Sequence, residues 1–142
     1  EFAKTISYLN NGGVSGPFAR IHSDKKNVVY IQETKGNSQF IEDKKGLVIE
    51  WNPNEGLVFP EGTQSAALGA LHEAIHVERY LKEPQAFLDD KNIKNEKFGN
   101  LEEKRVIEGP EANAAEKLGE SRRFDYFYSD VVPVKSSTDL PE

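Results

Sequence analysis

The chain contains no cysteine. A disulfide-stapled scaffold, a thiolate metal site and a catalytic thiol are all excluded, and the absence leaves either redox compartment open. It contains no methionine, which removes the Met-turn that one class of zinc protease requires. Methionine is missing even at position 1, so the chain is expected to be a piece of a longer protein. Histidine is scarce, with three in 142 residues. No apolar run approaches the ~18 residues of a membrane span. Positive charge is in deficit. A net charge of −6 argues against non-specific binding to nucleic acid or to an anionic membrane, both of which need clustered Lys and Arg. What remains is a polar chain of one domain's length, long enough to bury a core.

Residues 1–60 read as β. In "NVVYIQE", Val29 and Ile31 share one face, with Val28 and Tyr30 on the other. In "GLVIEW", Leu47, Ile49 and Trp51 oppose Val48 and Glu50. β-Branched and aromatic residues dominate both runs, as strands prefer. Turn material separates them: "NNGGVSG", "TKGNSQ", "EDKKG" and "NPNEG". The expectation is a small antiparallel sheet of three or four strands. After Pro60 the spacing becomes helical. Leu68, Leu71 and Ile75 recur at steps of three and four, Thr63 or Ser65 can cap the start, and Pro84 marks the stop. "AFLDDKNIKNEKFGN" is expected to be an exposed connection. "LEEKRVIEG" is a second helix and "PEANAAEKLGESRR" a third, with Pro110 in its first turn and Gly119 near its end. "FDYFYSD" is expected to be extended. Strands first and helices second make an α+β domain.

The first helix carries His72-Glu73-Ala74-Ile75-His76, an HExxH motif. On a helix, residues i and i+4 lie on the same face. Two imidazoles there can reach one zinc ion at ~2.0–2.1 Å. Zinc lowers the pKa of its water to about 7, and the adjacent glutamate takes the proton as the water attacks a carbonyl. Glu73 can later return the proton to the leaving amine. Two histidines beside an apolar stripe would be costly as unpaired polar groups, which favours the metal reading over an incidental pair on a surface helix.

A catalytic zinc needs a third protein ligand and one open position. The third histidine, His22, lies far upstream and reads as an ordinary surface residue. "NLEEKRVIEG" offers Glu102 and Glu103. Adjacent helical residues point about 100° apart, so only one can face the metal. The other can receive the N–H of a ligand histidine.

Three blocks in this order, "HEAIH", "EEKRVIEG" and "PEANAAEKLGESRRFDY", resemble the NleD-like effector metallopeptidases and the metallopeptidase domains at the C-terminal ends of Rhs-type polymorphic toxins. The resemblance spans roughly Leu68 to Tyr126. Residues 1–60 match nothing in it. A more distant similarity is to the clostridial neurotoxin light chains, which also follow HExxH with an E-E-x-R segment whose second glutamate binds zinc. That similarity implies Glu103 as ligand, with Glu102 as the alternative. It also implies that Arg123 and Tyr126, spaced as Arg-x-x-Tyr, stabilise the developing oxyanion. Glu111 matches the glutamate opening the third block and is implied as a group orienting Arg123 or a histidine, or as an alternative ligand. The family has Glu-Asn where this chain has Glu111-Ala112.

The resemblance implies a zincin-like fold: a small N-terminal antiparallel sheet, the HExxH helix and two or three further helices. Residues 1–130 are expected to form a single metallopeptidase domain and residues 131–142 a weakly ordered tail. The expected activity is zinc-dependent endopeptidase, with Zn2+ on His72, His76 and Glu103, Glu73 as general base, and no other cofactor. Expected partners are a protein or peptide substrate and a cognate immunity or carrier protein, with no nucleic acid or membrane. The resemblance implies a secreted toxin or effector, delivered into a target cell as the C-terminal part of a larger protein. The rivals are a zincin fold that has lost activity, which the intact Glu73 argues against, and a metal-free interaction domain.

Overall fold

The computed structural model describes all residues, Glu1–Glu142. Its centre is the motif helix. Ser65 Oγ accepts the Leu68 N–H at 3.2 Å, and the helix runs Ala66–Lys82. Glu83 ends it, because Pro84 has no N–H to continue the ladder. Leu68, Leu71, Ala74, Ile75 and Val77 along it are all buried. Full burial of each Leu, Ile or Val among them contributes about 1.5–3 kcal/mol.

In chain order the elements are α1 (Phe2–Asn11), α2 (Gly16–Ser23), β1 (Val29–Glu33), β2 (Gln39–Asp43), β3 (Gly46–Trp51), β4 (Glu55–Phe59), β5 (Gly62–Gln64), α3 (Ala66–Lys82), α4 (Pro84–Asn92), β6 (Lys94–Asn95), β7 (Gly99–Asn100), α5 (Leu101–Glu108), α6 (Pro110–Leu118) and β8 (Asp130–Pro133). The class is α+β, with six helices and small sheets. None of the helices is long and apolar enough to cross a membrane.

Five expectations need correction. The first 23 residues are two helices, not strands. Phe2, Ile6 and Leu9 recur at helical steps, and Leu9 is fully buried while Phe2 stacks edge-on against Trp51 at 6.2 Å. The sheet is not purely antiparallel. β3 lies between β1, which it pairs in parallel, and β2, which it pairs antiparallel. Val48, on the face opposite Ile49, is also buried at 1% exposure, since a central strand is covered on both sides. The connection after Pro84 is helical, and its Phe87 is buried against Phe40, Tyr80 and His76. "FDYFYSD" is a turn rather than a strand, held by the Tyr128 N–H on Asp125 Oδ1 at 3.0 Å.

The fifth correction concerns the tail. Asp130–Pro133 forms β8, the antiparallel neighbour of β4 in a second sheet ordered β5-β4-β8. Beyond it, Ser137 is fully buried. Its carbonyl accepts the Ala67 N–H at 2.8 Å, and its hydroxyl accepts from Thr5 at 2.8 Å. The tail thereby satisfies one of the orphan N–H groups at the start of α3.

The same helix start is braced by Glu120, which accepts the Ser65 N–H at 2.8 Å and the Ser65 hydroxyl at 2.7 Å. Tyr8 O–H donates to Glu120 at 2.8 Å. Burial, the bond to Glu120 and its negative charge all push the Tyr8 phenol well above its ordinary value of 10.0. The folded state thus holds the Tyr8 proton more tightly than the unfolded chain does. Its contribution to stability is complete below about pH 10 and is lost as pH rises toward the folded-state value. Tyr8→Phe is expected to flatten the alkaline limb of stability against pH. Urea titrations across that range check it, and an unchanged limb removes this assignment.

Candidate metal centre

His72 and His76 leave α3 one turn apart, and their Nε2 atoms lie 3.0 Å from each other. Glu103, on α5, brings Oε2 to 3.1 Å from His72 Nε2 and Oε1 to 3.1 Å from His76 Nε2. These three residues form a buried group that could hold a metal ion. α5 presents this side chain because Asn100 Oδ1 caps the helix on the Glu103 N–H at 2.9 Å.

The imidazoles are oriented from behind. His72 Nδ1 lies 2.8 Å from Glu111 Oε1, and His76 Nδ1 lies 2.6 Å from Glu102 Oε2. A carboxylate only accepts, so each Nδ1 carries the proton and each Nε2 keeps its lone pair. Both carboxylates are held in turn. Glu111 takes Arg123 Nε at 3.1 Å and Arg123 Nη2 at 2.5 Å. Glu102 takes Arg105 at 2.7 and 2.9 Å. Arg79 reaches Glu102 at 3.5 Å and Asp90 at 3.2 Å.

The two Nε2 atoms and the Glu103 carboxylate therefore converge on one point, which either protons on the imidazoles or a single cation can fill. Glu103 Oε2 is buried and makes no hydrogen bond, although it sits 3.1 Å from His72 Nε2. An orphaned buried oxygen costs about 1–3 kcal/mol, more when charged. A cation removes that cost. The spacing suits one: ligand atoms ~2.0–2.1 Å from a tetrahedral ion stand about 3.3 Å apart.

The electrostatics agree. Burial pulls the His72 imidazolium down, but Glu103 and Glu111 outweigh it and lift the group to about 10. His76 rises for the same reason, through Glu102 and Glu103. Burial pushes the Glu111 carboxyl up, yet Arg123 and His72 hold it down at about 2. Burial also opposes ionisation of Glu103, and the two imidazoles overcome it, so its carboxyl lies far below its ordinary range. The centre draws positive charge toward itself, whether protons or a metal.

A cleft opens over these groups. One arm, of about 250 Å³, is lined by His72, Glu73, Glu111, Arg123 and Tyr126 among others. A second arm, of about 120 Å³, is lined by Glu73, His76, Glu103, Phe40 and Tyr126. Glu73 and Tyr126 stand in both. Burial raises the Glu73 carboxyl, and Glu103 adds to the rise. The imidazoles and the Phe40 N–H counter it in part. Tyr126 lines both arms, and burial and the carboxylates of Glu103 and Glu73 push its phenol up.

Of the candidates from the sequence, the structure brings together His72, Glu73, His76, Glu103, Glu102, Glu111, Arg123 and Tyr126. Glu102 and Glu111 support imidazoles and do not face the convergent point. Arg123 lines the first arm of the cleft, with two of its nitrogens bonded to Glu111 and its side chain buried. His22 sits exposed on α2, outside the group. Gln64, which donates to Glu111 at 3.4 Å and to the Ser121 carbonyl at 2.9 Å, had no sequence signal. Neither had Arg79 and Asp90, which meet only through the docking of α4. Arg105 had one, since it lies three residues after Glu102 on the same helix face. No protein-family model, no curated protein and no solved structure matches this chain.

Proposed function

We propose that this chain is a zinc-dependent endopeptidase. The observation that carries the reading is the convergence of two Nε2 lone pairs and an orphaned carboxylate oxygen beside Glu73, at the floor of a cleft. Two imidazoles and one carboxylate suit a catalytic zinc. The same donor set serves iron in oxygenases, but the half-buried carboxylate of Glu73 in the cleft beside the donors favours hydrolysis.

Bound at His72, His76 and Glu103, zinc would supply a Lewis acid that polarises the substrate carbonyl and lowers the pKa of water. The protein's own groups do the rest. Glu73 takes the proton of the attacking water and returns it to the leaving amine. Tyr126 donates its O–H to the carbonyl oxygen as charge develops there. Arg123 and Arg105 hold Glu111 and Glu102, which hold the two imidazoles in the ligating tautomer. β2 is an edge strand with Gln39 and Phe40 in the cleft lining, so an extended substrate can add to it as a strand. The resemblance to NleD-like and Rhs-associated metallopeptidases supports a toxin or effector, delivered to a target cell and acting on a protein there, with an immunity or carrier protein as a further partner.

Elemental mass spectrometry tests the centre. We expect one zinc per chain in the wild type and in Glu73→Gln, and a loss of at least tenfold in affinity in His76→Ala and Glu103→Ala. Absence of zinc from the wild type after zinc is supplied would sink the peptidase reading and leave an interaction domain.

A further inference from the structure

The two arms of the cleft end in opposite charges. One arm is floored by the β4–β8 pair, where Leu57 lies opposite Val131. Glu55, two residues before Leu57 and on the same face of β4, also lines this arm. The other arm lies between β2 and α4. Phe40 and Phe87 form its apolar wall, with ring centroids 5.9 Å apart. Lys91 lines it too, its ammonium 5.8 Å from the Phe87 ring. Neither Glu55 nor Lys91 makes an ion pair within the protein, and neither belongs to the metal centre. The Glu55 arm also holds Ser129, whose buried hydroxyl has no hydrogen-bond partner. Such a group gains from a ligand that supplies one.

Beyond the carboxylates of the metal centre and Glu73, each arm thus pairs an apolar floor with one charged side chain that no ion pair engages, and Lys91 is the one Lys or Arg lining the second arm. A long basic side chain matches the first arm, with its methylene stem on Leu57 and Val131 and its charged head at Glu55. An acidic side chain matches the second, at Lys91. We infer that the cleft takes an extended polypeptide carrying Lys or Arg in the β4–β8 arm and Asp or Glu in the α4 arm. This rests on the peptidase reading for its chemistry, though not for its binding surface. The opposed charges set the direction of the bound chain. An edge strand accepts a peptide in either sense, whereas a reversed peptide here meets like charge at both ends.

Short fluorescent peptides in an apolar background test it. One set carries a basic residue before an acidic one, a second reverses the order, and a third is neutral. Binding is read by anisotropy on Glu73→Gln protein, which does not consume the probe. We expect one order to bind more tightly than the neutral peptide, by roughly two- to fivefold for each charge, and the reverse order to gain nothing. Glu55→Gln, which keeps the stem, should abolish the preference for the basic residue with an unchanged circular dichroism spectrum. Lys91→Glu should invert the preference for the acidic one. Equal binding of the two orders, a preference that neither variant moves, or no binding of any peptide overturns the inference. Cleavage of the same peptides by zinc-loaded wild type separates the two claims. Ordered binding without cleavage keeps the cleft assignment and defeats the peptidase reading, and cleavage without ordered binding does the reverse.

Discussion

Glu73→Gln is expected to lower kcat/KM for peptide hydrolysis by roughly 10²–10⁴-fold, the range attributed to a positioned general base, while zinc content and melting temperature stay at wild-type values. The substitution removes the proton acceptor and keeps the shape. It is also mild for folding. Burial already raises the Glu73 carboxyl above its ordinary range, so the folded state gains little from its charge, and a neutral amide is tolerated there. The flanking imidazoles keep their own carboxylate partners, Glu111 and Glu102, and the metal group does not include Glu73. Activity and metal binding therefore separate cleanly. Kinetics on a cleaved peptide, set beside elemental analysis and thermal melts, check this. Retention of activity within a few-fold of wild type would remove Glu73 from the reaction.

Arg123→Met is expected to destabilise the fold by roughly 3–5 kcal/mol, the usual cost of stranding one partner of a buried ion pair. At this chain length that corresponds to a fall of about 10–20 °C in melting temperature. The side chains of Arg123 and Glu111 are 7% and 1% exposed. Glu111 would be left with the His72 Nδ1–H and a long contact from Gln64, too little to balance a buried charge. Adding Glu111→Gln to Arg123→Met should recover much of the loss, because the amide still accepts from His72 and carries no charge. A double-mutant cycle reads this coupling directly. Zinc affinity should fall with Arg123→Met as well, since the His72 ring loses its rigid support. Were Arg123→Met to leave stability untouched and cut only kcat, the guanidinium would belong to the substrate, as the resemblance to the clostridial light chains implies.

Helix ends were legible because they are local chemistry. Ser65, Pro84, Pro110 and Gly119 act on backbone groups a few residues away, and the helices they bound lie where those residues indicate. α1 was not legible, since "NNGG" drew attention from the Phe2, Ile6, Leu9 spacing just before it. α4 was hidden by its polar composition, and one buried aromatic, Phe87, accounts for its docking. The parallel pairing of β1 with β3 left no trace in either strand. Alternation tells which face a side chain takes, and says nothing of which strand lies alongside.

The sequence by itself determined that two imidazoles share one helix face with a carboxylate beside them, because a 3.6-residue turn dictates that wherever the helix sits. It also determined that one of Glu102 and Glu103 at most could join them. Only the tertiary structure decided which. The two side chains diverge by about 100°, and the choice depends on how α5 docks against α3. The same docking gave Glu102 to His76 and Arg79. The tertiary structure alone turned residues 130–133 into a strand beside β4, closing one arm of the cleft, and paired Arg123 with Glu111. These are contacts between residues far apart in the chain. Their energies depend on burial and partner geometry, which no local pattern encodes.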